Sequence, residues 1–375
     1  MHRMTRILSI FTCSLIFGHL AFAQNCTQKL VQAERDYEAG RLAGIPGSVS
    51  GCLSDPNGFS KEERIRAHRL LTLVYIFTDN EPEAERSLVN LLKADPEHLL
   101  DQATDPAELF YLYEQFQVDP IFRLGLRLGL NNSYPTIMES FATSNQLVGR
   151  KFYNGSEDGA DPNANLTDLQ GTPFPIGFWG ELTFEKYLGR NFEIVGGVQA
   201  RISNYDVDNF FNNEGERFFN FIRNRQVYGR VPIYVRYTYN YNRRTGAKPY
   251  AILGFSGDYL LSATYSSASR SGGTPFTLNA TQGEDDLKTF NQVNDLNISL
   301  TAGLGVKLPI QNTNALTFEF RYDNSLLNYI NAENRYSNQT VAFDLGHVED
   351  NLTLNFVSFS IGYIYSIYNP KKKEE

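Results

Sequence analysis

The chain has 375 residues, a formal net charge of −8 and 20% charged residues. Nucleic acid is recognised by basic surfaces, so we expect no nucleic-acid partner for so acidic a chain. The mean hydropathy of −0.35 resembles that of a soluble protein. It does not exclude a membrane barrel, because half of each barrel strand is polar.

The N-terminus has the pattern of a secretory signal peptide. Arg3 and Arg6 precede an apolar run that ends in Ala21-Phe22-Ala23. A basic region, an apolar region and a small-x-small site predict cleavage after residue 23. An uncleaved anchor is the alternative, but the run is short and is interrupted by Gly18 and His19. No later stretch has the roughly 18 apolar residues that a spanning helix requires.

Two cysteines, Cys26 and Cys52, remain after the predicted cleavage. An even pair in an exported protein favours a disulfide, with two free thiols as the alternative. The bond would close a loop of about 27 residues and contribute roughly 3.5 kcal/mol in the chain-entropy treatment. No histidine or further cysteine lies near them with ligand spacing, so we expect no metal site and no cofactor.

Residues 24–118 have apolar positions at three- and four-residue spacing, which predicts helices. Leu71, Tyr75, Ala84, Leu88 and Pro96 fall at the spacing of a known repeat pattern. The segment therefore resembles tetratricopeptide repeats, although that family's Trp and first Gly are missing. The resemblance implies a degenerate pair of helical hairpins, and a further helix is expected around "PAELFYLYEQF".

Repeats of this kind usually present a surface to a partner, and a small structural cap is the alternative role. The segment has sixteen acidic and nine basic residues. We therefore expect a periplasmic or outer-membrane protein partner with a basic surface, bound through residues 24–118.

From residue 119 the apolar period changes from helical to alternating. Eight strand candidates of 10 to 16 residues begin near Phe122, Ile176, Phe192, Val227, Tyr250, Asn297, Ala315 and Leu352. Ordinary soluble strands have about 5 or 6 residues, whereas these lengths suit a tilted bilayer crossing. The hairpin "NISLTAGLGVKLPIQNTNALTFEFRYD" shows the pattern most clearly, with one apolar face and one polar face.

The links between these strands alternate strictly in length. The links after strands two, four and six are short, whereas residues 132–175, 205–226, 264–296 and 325–351 form long polar links. This asymmetry is typical of outer-membrane barrels, with short periplasmic turns and longer external loops. It places both ends of the barrel, residues 24–118 and the charged tail 369–375 in the periplasm.

Aromatic residues and the last strand agree with a barrel. An interfacial girdle is expected from Tyr187, Phe192, Tyr239, Tyr241, Tyr250, Tyr365 and Tyr368. The last strand, "FVSFSIGYIYSIY", nearly ends the chain, as a closing strand does. Pro232 lies within strand four, where it removes a ladder hydrogen bond, so a bulge is expected there.

The predicted fold is an all-β outer-membrane barrel of eight antiparallel strands (residues 119–368), preceded by an α-helical tetratricopeptide-like domain. A secreted β-sandwich is the alternative. "FRLGLRLGLNNSY", "GFWGELTFEKYLGRNFEIVGGVQ" and "YGRVPIYVRYTYN" resemble the PorT-like outer-membrane β-barrel family of Bacteroidota over roughly residues 120–368. Some members are accessory parts of secretion or assembly machinery, and the fused helical segment departs from the shortest members.

If the apolar faces meet lipid, the polar faces point into the lumen. The residues predicted to form a charge network there are Arg123, Arg127, Glu181, Glu185, Glu193, Arg201, Arg230, Arg236, Asp258, Lys307, Glu319, Arg321 and Asp323. An eight-stranded interior is just wide enough for side chains, so a salt-bridged plug is the preferred interpretation. A catalytic pair is the alternative, but Glu181 and Glu185 lie about 13 Å apart along their strand.

No hydrolase, metalloprotease or phosphate-loop motif is present, and His68, His98 and His347 are scattered. Asp161, Asn163 and Asn165 have calcium-loop spacing, but Leu166 stands where the turn needs glycine. The second long link contains an aromatic cluster that packs on the rim and lipid or docks a partner. Its candidate residues are Phe210, Phe211, Phe218, Phe219 and Phe221.

Two functional hypotheses follow. The first is a non-enzymatic outer-membrane barrel that anchors a periplasmic interaction module, as a scaffold or accessory subunit of an assembly or secretion complex. The second is a narrow channel for ions or small solutes. A hydrolase has no supporting motif.

Overall fold

A computed structural model describes residues 25–96, 98–117, 120–141, 150–154, 156–157, 174–189, 191–213, 216–239, 246–272, 280–282, 285–310 and 314–373. The predicted signal peptide lies outside these residues, as do Asp161, Asn163 and Asn165. The chain divides into two compact units. One comprises the described residues up to Ile121 together with those from Ile367 onward, and the other is Phe122–Ser366.

The described part of the first unit contains five helices: α1 (25–38), α2 (Ile45–Ser54), α3 (Lys61–Phe77), α4 (Glu81–Ala94) and α5 (Ala107–Glu114). Leu30, Val49 and Leu70 belong to a core that joins the first three helices. The predicted disulfide is confirmed, because Cys26 of α1 is bonded to Cys52 of α2. None of the described helices has both the length and the apolar composition that a membrane crossing requires.

Local sequence explains where α3 begins. Ser60 caps the helix by accepting a hydrogen bond from the Glu63 amide, and the Glu63 carboxylate accepts one from the Ser60 amide. This capping box satisfies two amides that have no partner within the helix. The helices predicted from the apolar period are therefore present, whereas their membership of the tetratricopeptide family stays a prediction.

The C-terminal tail also belongs to the first unit. Lys371–Lys372 pairs antiparallel with Phe116–Gln117. Lys372 forms an ion pair with Glu85 of α4, and Lys373 Nζ donates to the Glu114 carbonyl. The charged tail is thus part of a two-stranded sheet.

The second unit contains a closed ring of eight long antiparallel strands, beside which short strands pair at Arg150–Tyr153, Ser156–Glu157, Ala280–Gln282 and Asp285–Asp286. The long strands are β1 (Phe122–Glu139), β2 (Ile176–Gly189), β3 (Phe192–Asn213), β4 (Glu216–Thr238), β5 (Lys248–Gly272), β6 (Leu296–Ile310), β7 (Asn314–Ser325) and β8 (Asn351–Ile367). Each strand pairs with its neighbour in sequence, and β8 pairs with β1 to close the ring. We call the end where β1 begins and β8 ends the terminal end, and the opposite end the distal end.

Several strands are longer than predicted. The eight strands span 12 to 25 residues. The longer ones are β1, β3, β4 and β5, which continue into segments that we expected to be loops. The prediction that residues 205–226 form a loop is wrong, because β3 continues to Asn213 and β4 begins at Glu216 rather than near Val227. Backbone pairing sustains these extensions even where the outward side chains are polar.

The bulge expected at Pro232 is also absent. Pro232 pairs with Ser256 of β5 without a register shift, and the shifts in this ladder lie at Arg223/Asn224 and Val227/Tyr228. Along β3 the same register holds from Gly196–Ile233 to Gln199–Arg230. The proline therefore removes one donor without displacing the strand.

An apolar surface faces outward from the ring. On β1 the exposed residues are Leu124, Leu126, Leu128 and Leu130, and Leu128 is 64% exposed. The girdle prediction requires outward-facing side chains, and Phe192, Tyr239 and Tyr365 are exposed. It is wrong for Tyr250, which is buried and donates a hydrogen bond to Glu319 inside the ring. Tyr241 lies outside the described residues.

Candidate functional site: the barrel interior

The inward faces of the strands carry long charged side chains in the terminal half of the barrel. All thirteen residues proposed for the network are buried, and the most exposed, Arg123, is only 8% exposed. The strand period of two places every second residue inside the ring, and closure of the ring brings those residues together. We refer to these thirteen residues as the lumen network.

Nearest the terminal end, Glu193 of β3 is the common partner of three cations, Arg123, Lys307 and, at 3.5 Å, Arg236. It accepts hydrogen bonds from Arg123 Nη1 of β1 and from Lys307 Nζ of β6, the latter at 3.1 Å. Arg236 of β4 binds Glu185 in a two-point pair, with Nη1–Oε2 at 2.6 Å and Nη2–Oε1 at 3.0 Å. Planar two-point pairs of this kind fix both position and orientation.

The next level is centred on Glu181 of β2. Arg321 of β7 binds it in a second two-point pair, with Nη1–Oε2 at 2.7 Å and Nη2–Oε1 at 2.9 Å. Arg127 of β1 donates to Glu181 Oε1 at 3.0 Å and to Glu185 Oε1 at 2.6 Å. Glu319 accepts from Arg321 Nε and from the Tyr250 hydroxyl.

Arg127 changes the interpretation of the two glutamates on β2. Their positions along the strand suggested well-separated carboxylates, but both side chains bind nitrogens of the same guanidinium. Each carboxylate also holds a second arginine, Arg321 or Arg236. Carboxylates held this way are stable anions, so the pair is suited to ion pairing and poorly suited to proton transfer.

A third level lies further toward the distal end. Arg230 of β4 donates to Asp258 of β5 at 2.5 Å and to Asp323 of β7 at 3.2 Å. Arg201 of β3 donates to the same Asp323 oxygen at 2.7 Å. Gln199 connects this level to the level centred on Glu181, since it donates to Glu181 and accepts from Arg230.

The distal half of the interior is filled differently. Residues 326–350, which we call the distal plug, were expected to form an external loop, yet Tyr329, Ile330, Val341 and Leu345 are buried. They share one apolar cluster with inward residues of the surrounding strands, including Tyr205, Val207, Ile222, Leu260, Ala263 and Tyr265. The plug has no regular apolar period, so its burial was not predicted from the sequence. Its scattered apolar residues are the only feature of the sequence that indicates burial.

Polar contacts hold the end of the plug. Asp350 accepts hydrogen bonds from Lys151 Nζ at 2.6 Å and from the Tyr153 hydroxyl at 2.7 Å. His347 Nε2 lies 3.3 Å from Glu349 Oε1. Burial raises the pKa of Glu349, but the hydrogen bond and charge of His347, together with the charge of Lys151, bring that pKa below its ordinary value.

The predicted aromatic cluster of the second link lies on the β3–β4 hairpin. Phe218 is buried, and Phe219 and Phe221 are half-buried. Phe210 and Phe211 pair in register with Phe219 and Phe218, and their side chains lie outside the described part of the chain. The hairpin joins these phenylalanines in one ladder, and their docking role stays a prediction.

Among the described residues, no group of three or more His, Cys, Asp or Glu side chains is placed to hold a metal ion. His68 and His98 lie in the helical unit, on α3 and after α4, whereas His347 lies in the plug.

Comparison with known proteins identifies the barrel. A family profile described as "Outer membrane protein beta-barrel domain" matches residues 117–331. A search of curated protein sequences finds no significant match.

Solved structures of bacterial surface barrels resemble the chain at low identity. Neisserial surface protein A is 10% identical, with 66% of this chain and 97% of that chain covered and a TM-score of 0.29. Ail, the attachment invasion locus protein of Yersinia pestis, is 10% identical, with 66% and 99% covered and a TM-score of 0.25. The outer membrane protease OmpT from Escherichia coli is 8% identical, with 66% and 96% covered and a TM-score of 0.29.

Proposed function

The chain belongs to the outer membrane protein beta-barrel domain family, and from that premise we propose that its barrel is a non-enzymatic anchor for the helical unit. In this proposal the protein is an accessory or scaffold subunit of an outer-membrane assembly or secretion complex. The barrel lies in the outer membrane, and both of its chain ends face the periplasm.

The observation that carries the proposal is the filled interior. The lumen network occupies the terminal half, and the distal plug occupies the other half. Moving an ion through the network would require breaking buried pairs such as Arg321–Glu181 and Arg236–Glu185. Breaking such a pair costs about 3–5 kcal/mol when one partner is removed. An interior of this kind is suited to holding the barrel rigid and argues against a narrow channel.

The helical unit supplies a surface on which a partner could dock. The solvent-facing stripe of α5 consists of Ala107, Glu108, Tyr111 and Glu114, and Tyr111 is 73% exposed. Aromatic anchors surrounded by a polar rim are common in protein interfaces. Because acidic residues predominate over residues 24–118, a partner with a basic surface is expected.

The proposal is tested by purifying a tagged chain from outer membranes in mild detergent and identifying stoichiometric partners. Tyr111→Ala is expected to reduce recovery of such a partner at least tenfold, because loss of a central anchor costs about 2 kcal/mol or more. Tyr336→Ala, which removes a 51% exposed tyrosine from the barrel unit, is the matched control. A free monomer in outer membranes would contradict the scaffold role.

The direction of the chain ends has its own test. A tag fused after Glu375 is expected to be protected from protease in intact cells and cleaved once the outer membrane is permeabilised. Cleavage in intact cells would place both ends outside the cell and contradict the periplasmic helical unit.

A further inference from the structure

The two-stranded sheet of the helical unit is formed by the two chain segments that flank the ring of strands. Gln117 lies four residues before Ile121, which precedes β1, and Lys371 lies four residues after Ile367, the last residue of β8. Gln117 pairs with Lys371, and the Ile121 amide donates to the Ile367 carbonyl oxygen at 2.9 Å. Because both strands advance by four residues between these contacts, the two contacts share one antiparallel register.

The sheet that holds the tail is short, and its ion pair is partly exposed. Beyond the pairing, the Lys373 amide donates to the Gln115 carbonyl oxygen at 2.7 Å, and Lys373 Nζ donates to the Glu114 carbonyl oxygen at 2.8 Å. The side chains of the Lys372–Glu85 ion pair are 48% and 27% exposed. Exposed ion pairs contribute little net stability, and an isolated two-stranded sheet is marginal in water. The tail therefore stays docked only if its two segments are already held close together.

Pairing of β8 with β1 supplies that proximity. When the two strands are paired and Ile121 contacts Ile367, pairing of Gln117 with Lys371 closes a loop of about ten residues. When β8 is unpaired, the same contact closes a loop of about 250 residues. The effective concentration of two tethered segments falls with about the three-halves power of loop length, so it is roughly a hundredfold lower before the ring closes.

We propose that the C-terminal tail is a strap that docks on the helical unit only after β8 has paired with β1. Closure of the ring then changes the surface of the helical unit, because Phe116–Gln117 gains a partner strand and Glu85 gains a cationic partner. Before closure, that carboxylate and the backbone groups of that strand edge are uncovered. The helical unit thus has one surface for each state of the barrel, and this inference does not depend on the scaffold role.

Refolding of the full chain from urea into detergent tests the order of the two events. Gln117→Cys with Lys371→Cys places two thiols at directly paired, exposed positions, and a short bismaleimide joins them when the tail is docked. The native Cys26–Cys52 disulfide is kept intact throughout. Samples receive a pulse of cross-linker at successive times. Closure of the ring is read from the compact migration of the unboiled barrel in a denaturing gel.

The cross-link is expected in chains that have closed and to be at least about tenfold rarer in chains that have not. Glu34→Cys with Arg66→Cys, at a partly exposed ion pair between α1 and α3, is the matched control and should cross-link equally in both populations. Equal yields of the Gln117→Cys/Lys371→Cys cross-link in closed and unclosed chains would overturn the proposal. Cross-linked dimers would overturn it too, because the tail would then dock on another copy.

A free peptide with the sequence of residues 369–375 gives an independent readout. The peptide is labelled and titrated against a refolded chain that lacks these residues. Short tethers supply effective concentrations of about 1 mM, and the open chain supplies roughly a hundredfold less. Half-saturation is therefore expected only above about 10 μM peptide. Half-saturation at a lower concentration would show that the tail docks without the pairing of β8 with β1, and it would overturn the proposal.

Discussion

The terminal half of the barrel interior is filled by long charged side chains, whereas the distal half is filled by an apolar cluster that the plug completes. Arginine and glutamate from opposite walls reach one another across the ring, as Arg321 of β7 reaches Glu181 of β2. The distal wall carries apolar and aromatic groups, including Val207 and Tyr265, and a returning chain segment packs against them. The interior of this ring of strands is thus filled in two ways, by ion pairs in the terminal half and by apolar side chains in the distal half.

The two ways of filling differ in how they should respond to substitution. A buried ion pair contributes little net stability against an apolar replacement, but removing one partner leaves the other charged and buried. Apolar packing loses free energy in proportion to the volume removed. The variants that follow separate these behaviours. Unfolding can be followed by the fluorescence of Trp179, the only tryptophan, which lies in the lumen.

The largest effect is expected in the lumen network. Glu181→Gln removes a carboxylate charge that Arg127 and Arg321 share and should lower the free energy of unfolding by about 3–5 kcal/mol. Urea unfolding in detergent or vesicles measures the loss. Glu333→Gln, an exposed position in the plug, should change stability by less than about 0.5 kcal/mol. Equal losses in the two variants would show that the network pairs carry no special cost.

The next effect is expected in the apolar cluster. Leu345→Ala should cost about 2–4 kcal/mol, because the leucine is almost fully buried among the plug and wall residues. Leu326→Ala removes an exposed leucine from the other end of the same segment and serves as the control. If the two substitutions lower the free energy of unfolding in urea by the same amount, the plug does not pack inside the ring.

A smaller effect is expected where a polar contact holds the plug. Asp350→Asn should cost about 1–3 kcal/mol, because Lys151 and Tyr153 both donate to this carboxylate. The loss stays below that of Glu181→Gln because Lys151 Nζ also donates to the Phe141 and Val348 carbonyl oxygens. The same urea titration checks the order, and a larger loss for Asp350→Asn would contradict it.

The smallest effect is a difference in pH dependence. The pKa of Glu349 lies below its ordinary value, so its ionised form stabilises the folded state above that ordinary value. This contribution is lost as pH falls toward the lowered pKa. Melting from about pH 7 to about pH 3 should therefore show a shallower acid loss for Glu349→Gln than for the natural chain. Parallel curves would show that Glu349 is not stabilised as an anion.

The sequence predicts which charged residues point into the lumen, but it does not predict which of them pair. The period of two assigns inward positions along each strand, which is why Arg123, Glu193 and Lys307 could be placed without coordinates. Their pairing depends on ring closure and on side-chain reach, and one guanidinium, Arg127, joins two carboxylates that strand spacing had separated. The plug has no regular spacing of apolar residues, so its sequence resembles a loop. The extended parts of the strands carry polar outward residues, so their sequences resemble loops as well.

Single-channel recording in planar bilayers tests most directly whether the barrel is a closed anchor. Two refolded chains are compared: the natural chain, and a chain in which residues 331–349 are replaced by a short glycine-serine linker. Neither should give steady conductance, because no residue of the distal plug belongs to the lumen network, which fills the terminal half without it. Steady conductance by the natural chain would contradict the closed barrel and favour a channel. Conductance by the shortened chain alone would show that the plug, rather than the ion pairs, closes the barrel.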